Sequence, residues 1–300
     1  MNHLKLGDSV AQAAHDAQFK LDSIFELEAV MERRTKAAEV GLAAFEVRQY
    51  IPYGARREET LNLFPARRAQ GLAPAHVFIH GGFWRSMRAD QFSFLARGFV
   101  PFGVSLAIID YPLIPDVRLG DIVTSCKTAI SWIYRNGSDY GLDPDCIFIS
   151  GNSAGGHLVA ELLDRTWVEQ AGLPHDVIKG GAAISGLYDL EPVRTSFQND
   201  VLQLTADEVE AFSPLRRELA IEAPIIAAVG GDETEEFLRQ TADFAAILER
   251  SGVDVKHLVV PHTNHITVVL DALADPSERL NCVVRQQMGA LDAQASALWN

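Results

Sequence analysis

The chain has 300 residues, of which 48% are hydrophobic and 22% are charged. These proportions are typical of a globular protein and exclude a disordered or low-complexity chain. The 40 acidic and 26 basic side chains give a formal net charge of -14. Nucleic acids and anionic membranes bind basic surfaces, so this charge argues against both as partners. The three cysteines are too few and too scattered for a disulfide framework or a zinc site, which favours a reducing compartment.

The sequence contains no stretch of about 18 apolar residues, and its start lacks the apolar region of a secretory signal. We therefore expect a protein of the cytoplasm that does not bind a membrane. No internal repeat or flexible linker marks a domain boundary. The sequence leaves open whether the chain forms a homodimer.

The first part of the chain is predicted to be helical. Residues 9–48 carry apolar side chains near helical spacing among charged ones, and Leu21 and Phe25 are two of them. From about residue 45 the pattern changes to that of alternating strands and helices. We therefore assign 1–44 to an N-terminal helical segment and 45–300 to a single α/β domain.

In this second part, short apolar runs alternate with longer amphipathic segments. Runs that are rich in β-branched residues and separated by helices indicate a mostly parallel sheet covered on both faces. The predicted strands are 77–79, 104–109, 147–149, 182–184, 225–229 and 255–260, with an antiparallel edge at 45–50 and 59–64. The predicted helices are 90–98, 118–135, 154–170, 235–251 and 265–274.

One segment, 187–220, interrupts this alternation between two predicted strands. It contains Pro192 and Pro214, many polar residues and no strand pattern. A long insertion at the carboxyl edge of such a sheet often covers an active site. We expect either a small helical lid here or an ordinary helical excursion.

The most informative stretch runs from 147 to 157 and predicts a strand, a Gly-x-Ser-x-Gly turn and a helix. This is the context of a nucleophile elbow, a sharp turn that exposes a serine hydroxyl at the sheet edge. Gly151 and Gly155 lack the Cβ atoms that would collide in such a turn. The amino terminus of the following helix favours negative charge at the same point. The pattern predicts that Ser153 is a catalytic nucleophile.

A second motif lies upstream, where a predicted strand runs into a His-Gly-Gly-Phe-Trp loop at 80–84. Acyl transfer generates an oxyanion, which backbone N–H groups aimed at one point can stabilise. The candidate donors are the amides of Gly82, Phe83 and Ala154. His80 precedes the turn, and we expect it to brace the loop.

A serine hydroxyl needs a base and an orienting acid, which in this fold follow it in the order Ser, Asp or Glu, His. Two loops after late predicted strands hold these residue types. The first contains Asp232 and Glu233, and both carboxylates are candidates for the acid. The second contains His262 and His265. His265 is favoured as the base because an apolar helical run begins directly after it.

These residues resemble the α/β-hydrolase fold and, more narrowly, the arylformamidase (kynurenine formamidase) group of serine hydrolases. The resemblance covers roughly 45–270 and rests on motifs at 52–54, 61–65, 80–84, 110–112, 151–158, 185–192, 236–240 and 264–265. In that group the acid lies three residues before the Glu of a Glu-Phe-x-Arg-Gln stretch. The resemblance therefore favours Glu233, whereas counting from the strand end points to Asp232.

The resemblance implies a serine hydrolase for a small aryl amide or ester, with a formamide of the N-formylkynurenine type as the substrate. Phe83, Trp84 and Tyr188 are candidates to contact an aromatic substrate, although each ring could equally pack in the core. The sequence has no metal-binding spacing, and we predict neither a metal nor another cofactor. The alternatives are a carboxylesterase of the hormone-sensitive-lipase type and a non-catalytic small-molecule receptor.

Overall fold

The computed structural model describes residues 3–21, 24, 26–66 and 71–290. Within these ranges eight strands form one sheet in the order β1-β2-β4-β3-β5-β6-β7-β8. The strands are β1 (Arg48–Pro52), β2 (Thr60–Phe64), β3 (Ala73–Ile79), β4 (Ser105–Ile109), β5 (Leu142–Asn152), β6 (Ile178–Ile184), β7 (Ile225–Gly230) and β8 (Val255–Val260). The pairs β1–β2 and β2–β4 are antiparallel, and the other pairs are parallel. This arrangement confirms the predicted α/β-hydrolase fold class.

The helices lie on both faces of the sheet. They are α1 (His3–Ala17), α2 (Leu27–Ala44), α3 (Ala96–Phe99), α4 (Leu119–Asn136), α5 (Ala154–Leu163), α6 (Glu191–Arg194), α7 (Asn199–Leu202), α8 (Ala206–Phe212), α9 (Glu235–Arg250) and α10 (Arg279–Gln287). Turns of 3-10 helix occur at Ala89–Leu95, Val100–Phe102, Gly137–Tyr140, Arg165–Trp167 and Pro214–Arg216, and a π-helix occupies Val268–Leu273. Among the described residues, no helix combines the length and apolar character that crossing a membrane would require.

The apolar side chains of the central strands divide between two cores, one on each face of the sheet. Val77 and Ile79 of β3 pack in one core, which also holds buried residues of α4, α5 and α9. Phe78 points the other way and packs with buried residues of α10 and the π-helix. Since successive strand residues face opposite sides, a strand that is buried on both faces is largely apolar along its whole length. This is why the short apolar runs predicted the strands.

Residues 9–48, predicted to be helical, contain two separate helices. Helix α1 ends at Ala17, and α2 begins at Leu27 after Glu26, whose φ is 52°. Phe19, just after α1, is buried, with its ring centroid 6.3 Å from that of Phe237 on α9. Burial against a distant helix therefore overrides the local helical spacing. Phe25, another residue of that pattern, lies outside the described residues.

Candidate active site

Ser153 occupies a strained turn between β5 and α5, with φ 59° and ψ -120°. Two glycines allow the backbone of this turn to pack against its neighbours. A Cβ on Gly155 would lie 2.0 Å from the Ile79 carbonyl oxygen, and one on Gly151 would lie 2.3 Å from the Gly155 carbonyl oxygen. The Ser153 amide donates a hydrogen bond to the Ile184 carbonyl oxygen at the end of β6, 2.9 Å away. A left-handed φ is costly for a residue with a Cβ and persists where surrounding contacts enforce it. The turn is thus held from both neighbouring strands.

Glu233 lies in the loop that follows β7, and it contacts His265 in the loop that follows β8. His265 Nδ1 lies 2.6 Å from Glu233 Oε2. The other residues that competed for these positions, Asp232 and His262, are exposed. A carboxylate can only accept hydrogen bonds, so Nδ1 carries the hydrogen and Nε2 of a neutral ring is left as an acceptor.

Glu233 is held rigidly by further donors. Its side chain has no exposed surface, and that of His265 is 11% exposed. Glu233 Oε1 accepts hydrogen bonds from the Gly230 amide at 2.8 Å and from the Ser185 hydroxyl at 2.5 Å. The Phe237 ring packs on the His265 ring with a centroid distance of 4.4 Å. Ser185 is a site residue that the sequence motifs did not reveal; its position directly after a predicted strand, β6, was the available signal.

The loop that follows β3 runs against the Ser153 turn. A Cβ on Gly81 would lie 2.8 Å from the Asn152 carbonyl oxygen and 3.1 Å from the Ser153 Cβ. The next three residues all have positive φ: 103° at Gly82, 49° at Phe83 and 56° at Trp84. Such a run of left-handed residues turns the backbone tightly and is found where the structure enforces it. The loop therefore brings backbone groups close to Ser153.

His80 stabilises the conformation of this loop. It is buried and stacks on Tyr111 with ring centroids 4.3 Å apart. Its Nδ1 lies 2.8 Å from the Gly81 carbonyl oxygen, and the Tyr111 hydroxyl donates to the His80 carbonyl oxygen at 2.8 Å. Burial lowers the pKa of His80 to about 4, and burial raises the pKa of the neighbouring Asp110 to about 6. His80 is therefore neutral near pH 7 and braces the loop.

Ser153 and His265 line one cavity at the carboxyl edge of the sheet. Gly82 and Phe83 form part of its wall, and Ala154 follows Ser153 as the first residue of α5. The remaining lining residues are Leu21, Arg34, Gly81, Met87, Phe92, Phe94, Asn152, Ile266 and Val269. Among the described residues, no group of three or more His, Cys, Asp or Glu side chains could hold a metal ion. The cavity thus combines a serine, a histidine with its carboxylate, and a mostly apolar wall.

Comparison with known proteins finds a family model and several relatives that are similar to this chain. The family model BD-FAE matches residues 61–168. Kynurenine formamidases of Danio rerio and Salmo salar are 25% and 26% identical to the chain, and each alignment covers 80% of the chain and 81% of the relative. The chain is an arylformamidase-like α/β-hydrolase.

Solved structures agree with this assignment at the level of fold. A putative thioesterase of Silicibacter sp. tm1040 superposes on the hydrolase with a TM-score of 0.74 and 28% identity, covering 87% of this chain and 95% of that one. Carboxyl esterase 2 of Tuber melanosporum superposes with a TM-score of 0.66 and 20% identity, covering 83% and 88%. A probable isoprenylcysteine alpha-carbonyl methylesterase of Arabidopsis thaliana is 25% identical over 75% of this chain and 52% of its own length.

Two of the three aromatic residues predicted to contact a substrate lie in the core of the hydrolase. Trp84 is fully buried and packs edge-on against His157, with ring centroids 5.1 Å apart. Tyr188 is fully buried and stacks on Phe244 at 3.9 Å. Within the described part of the chain, neither ring lines the cavity of Ser153. Core packing thus covers the rings of Trp84 and Tyr188, whereas Phe83 lines the cavity, and Phe83 is the one of the three that is placed to contact a substrate there.

The N-terminal segment, whose sequence indicates no function, reaches the site. His15 Nε2 lies 2.8 Å from the Pro192 carbonyl oxygen in the insertion at 187–220. The Gln18 carbonyl oxygen accepts a hydrogen bond from the Thr234 hydroxyl at 2.9 Å, one residue after Glu233. Three residues further on, Leu21 forms part of the cavity wall. These contacts make the segment before β1 part of the site.

Proposed function

We propose that this hydrolase is a serine hydrolase that cleaves a small aryl amide, foremost a formamide of the N-formylkynurenine type, or a related ester. The observation that carries the proposal is the 2.6 Å contact of His265 Nδ1 with Glu233, in a cavity that Ser153 also lines. The kynurenine formamidases of Danio rerio and Salmo salar, at 25% and 26% identity, support the choice of substrate class.

In the proposed first step, the Ser153 oxygen attacks the acyl carbon while His265 Nε2 accepts the hydroxyl proton. A serine hydroxyl is a weak nucleophile without such a base. The Glu233 carboxylate holds the hydrogen on Nδ1, which keeps Nε2 free to accept, and it stabilises the imidazolium ion that forms. Three hydrogen-bond donors point at the oxygens of Glu233 and hold its carboxylate in this orientation.

The attack turns the carbonyl oxygen into an oxyanion, which we assign to the amides of Gly82, Phe83 and Ala154. Support comes from the positive φ angles of Gly82 and Phe83, which turn the loop against the Ser153 turn. Ala154 begins α5, and the amino terminus of a helix favours negative charge. Donors that are already oriented stabilise the charge without reorganisation, which is usually the largest contribution to the rate.

The intermediate then collapses: the C–N bond breaks, and His265 gives its proton to the leaving amine. The acyl group stays bound to the Ser153 oxygen. A water molecule attacks this ester while His265 accepts one of its protons, and the proton passes to the Ser153 oxygen as the acid is released. For a formamide the products are formate and the free aryl amine, and the hydroxyl of Ser153 is restored.

A fluorophosphonate probe tests the nucleophile. We expect a covalent adduct on Ser153 and loss of turnover in Ser153→Ala, whose melting temperature should stay near that of the wild type. Retained turnover in this variant would refute the serine mechanism. A folded wild-type protein that is inert to the probe and to substrates would instead favour the non-catalytic receptor.

A second assay separates a formamidase from a carboxylesterase, which the methylesterase and esterase neighbours keep as the alternative. The same purified protein is given one aryl formamide and the matched aryl ester of a short acid. Formamide cleavage that depends on Ser153 supports the proposal. Ester turnover without measurable formamide cleavage would replace it with the carboxylesterase.

A further inference from the structure

Arg34 is a positive charge inside the cavity of Ser153. It lies on α2, lines the cavity and is only 5% exposed. Its guanidinium lies over the Phe92 ring, 5.4 Å from the centroid, and its Nη1 donates to Met87 Sδ at 3.7 Å. Both of these neighbours line the same cavity. The guanidinium is thus held in place by an aromatic face and a thioether, which are weak partners for a full charge.

Among the residues that the structure describes, no carboxylate lies within ion-pair distance of Arg34. The contrast with Arg217 is direct, since that guanidinium contacts Glu161 and Asp164 at 2.5 Å each. Burial lowers the pKa of Arg34, yet a guanidinium keeps its proton at any pH at which proteins fold. A buried cation without a counter-charge is costly for the fold. Such a residue in an active-site cavity is a candidate for binding an anion.

A second unpaired donor lines the same cavity. Asn152 is 7% exposed, and its Nδ2 has no hydrogen-bond partner among the described residues. Asn152 directly precedes Ser153, so an anion held by this amide would lie close to the reacting group. One guanidinium and one amide offer the number of donors that suits a planar, singly charged carboxylate, and the rest of the wall is largely apolar.

We propose that Arg34 binds a carboxylate on the substrate, with Asn152 as a second donor, so that the hydrolase prefers anionic amides or esters to neutral ones of the same shape. This inference rests on the proposed hydrolytic function of the site. In this proposal α2 contributes to substrate specificity, because it carries Arg34. Arg33, the preceding residue, lies outside the cavity lining, where its exposed side chain forms an ion pair with Asp271 at 2.5 Å.

The test uses two matched pairs of substrates. In the first pair the carboxylate is on the leaving group (2-formamidobenzoate against formanilide). In the second it is on the acyl group (the mono-4-nitrophenyl ester of succinate against 4-nitrophenyl pentanoate). We expect the wild type to favour the anionic member of at least one pair. In Arg34→Gln the ratio of kcat/KM for anionic over neutral substrate should fall about 10- to 100-fold, mainly through KM, as for a lost charged hydrogen bond.

Two further variants control for charge and fold. Arg34→Lys keeps the charge but not the forked donors, and it should retain part of the preference. Arg33→Gln removes the neighbouring, half-exposed charge, and its ratio should equal that of the wild type. A wild type without preference in either pair, or an unchanged ratio in Arg34→Gln, would overturn the inference while leaving the hydrolytic function intact.

A binding measurement that needs no turnover separates the two proposals. Benzoate, compared with benzamide, should raise the melting temperature of the wild type and of Arg33→Gln but not of Arg34→Gln. Benzoate stabilisation in a protein that hydrolyses nothing would support the Arg34 site and refute the proposed function. Equal stabilisation by benzoate of the wild type and Arg34→Gln, or none at all, would overturn the Arg34 site.

Discussion

Replacing Glu233 by Gln changes one carboxylate oxygen into an NH2 group without changing the shape of the side chain. In the wild type, Oε1 accepts from the Gly230 amide at 2.8 Å and from the Ser185 hydroxyl at 2.5 Å, and Oε2 accepts from His265 at 2.6 Å. The Gly230 N–H can only donate, so the remaining amide oxygen must stay on its side. The new NH2 group then faces His265 Nδ1 and donates to it.

This reversal changes the tautomer of His265. A ring that accepts at Nδ1 carries its hydrogen on Nε2, and such a ring cannot take the proton of Ser153. Fixing the wrong tautomer in a serine–histidine–acid arrangement lowers kcat by about 10,000-fold. We therefore expect a loss of about 1,000- to 10,000-fold in Glu233→Gln, equivalent to about 4–5.5 kcal/mol of transition-state stabilisation. The opposite amide orientation would set two N–H donors against each other at Gly230, which costs about 1–3 kcal/mol.

The assay compares kcat of wild type, Glu233→Gln and Asp232→Asn on an activated ester, with circular dichroism melts to show that each variant is folded. Asp232 is the matched control, because it is the neighbouring carboxylate and its side chain is exposed. Its replacement should change kcat by less than about threefold, as an exposed charge contributes little. A loss of kcat within tenfold in Glu233→Gln, or a thousandfold loss in Asp232→Asn, would refute the assignment of the acid.

Two other expectations concern the stability of the sheet beneath the site. Burial lowers the pKa of His76 from 6.5 to about 3. The unfolded chain therefore binds a proton at His76 more tightly than the folded protein does. The contribution to the unfolding free energy that is present above pH 6.5 is lost as the pH falls. His76 Nε2 lies 2.6 Å from Ser150 Oγ, and the amide in His76→Gln can donate to this hydroxyl or accept from it. Between pH 7.5 and 5 this variant should lose about 2 kcal/mol less unfolding free energy than the wild type. Equal losses in urea titrations would contradict this. Gly155→Ala would place a Cβ 2.0 Å from the Ile79 carbonyl oxygen. This variant should have an unfolding free energy lower by about 1–3 kcal/mol and a lower kcat. If both values were unchanged, the turn would have room for the Cβ.

The positions of the central strands and of the Ser153 turn could be predicted from the sequence because each is marked by a short local pattern. A strand buried on both faces needs mostly apolar residues, and all seven residues of β3 are buried and all but His76 are apolar. The Ser153 turn needs glycines two residues before and after the serine: a Cβ on Gly151 would meet Gly155 within the turn, and one on Gly155 would meet Ile79 of the neighbouring strand β3. The sequence pattern therefore predicts both the strands and the Ser153 turn.

The choice between Glu233 and Asp232 depended on tertiary structure. The two are adjacent in one loop, and which carboxylate faces His265 depends on Gly230 and on Ser185, which belongs to a different loop 48 residues away. No local pattern distinguishes them, and only the resemblance to a family favoured Glu233.

The aromatic residues and the N-terminal segment show the same limit. Trp84 follows a motif of the site yet packs in the core, because its neighbour is His157 on a helix that the sequence places far away. Arg34 has an ordinary helical context, and only the packing of α2 beside Phe92 and Met87 brings it into the cavity. The sequence by itself determined the sheet and the Ser153 turn, since both are marked by short-range patterns of apolar residues and glycines. Which acid contacts His265, and which ring and cation line the cavity, was decided by contacts between distant segments, which form only when the chain is folded.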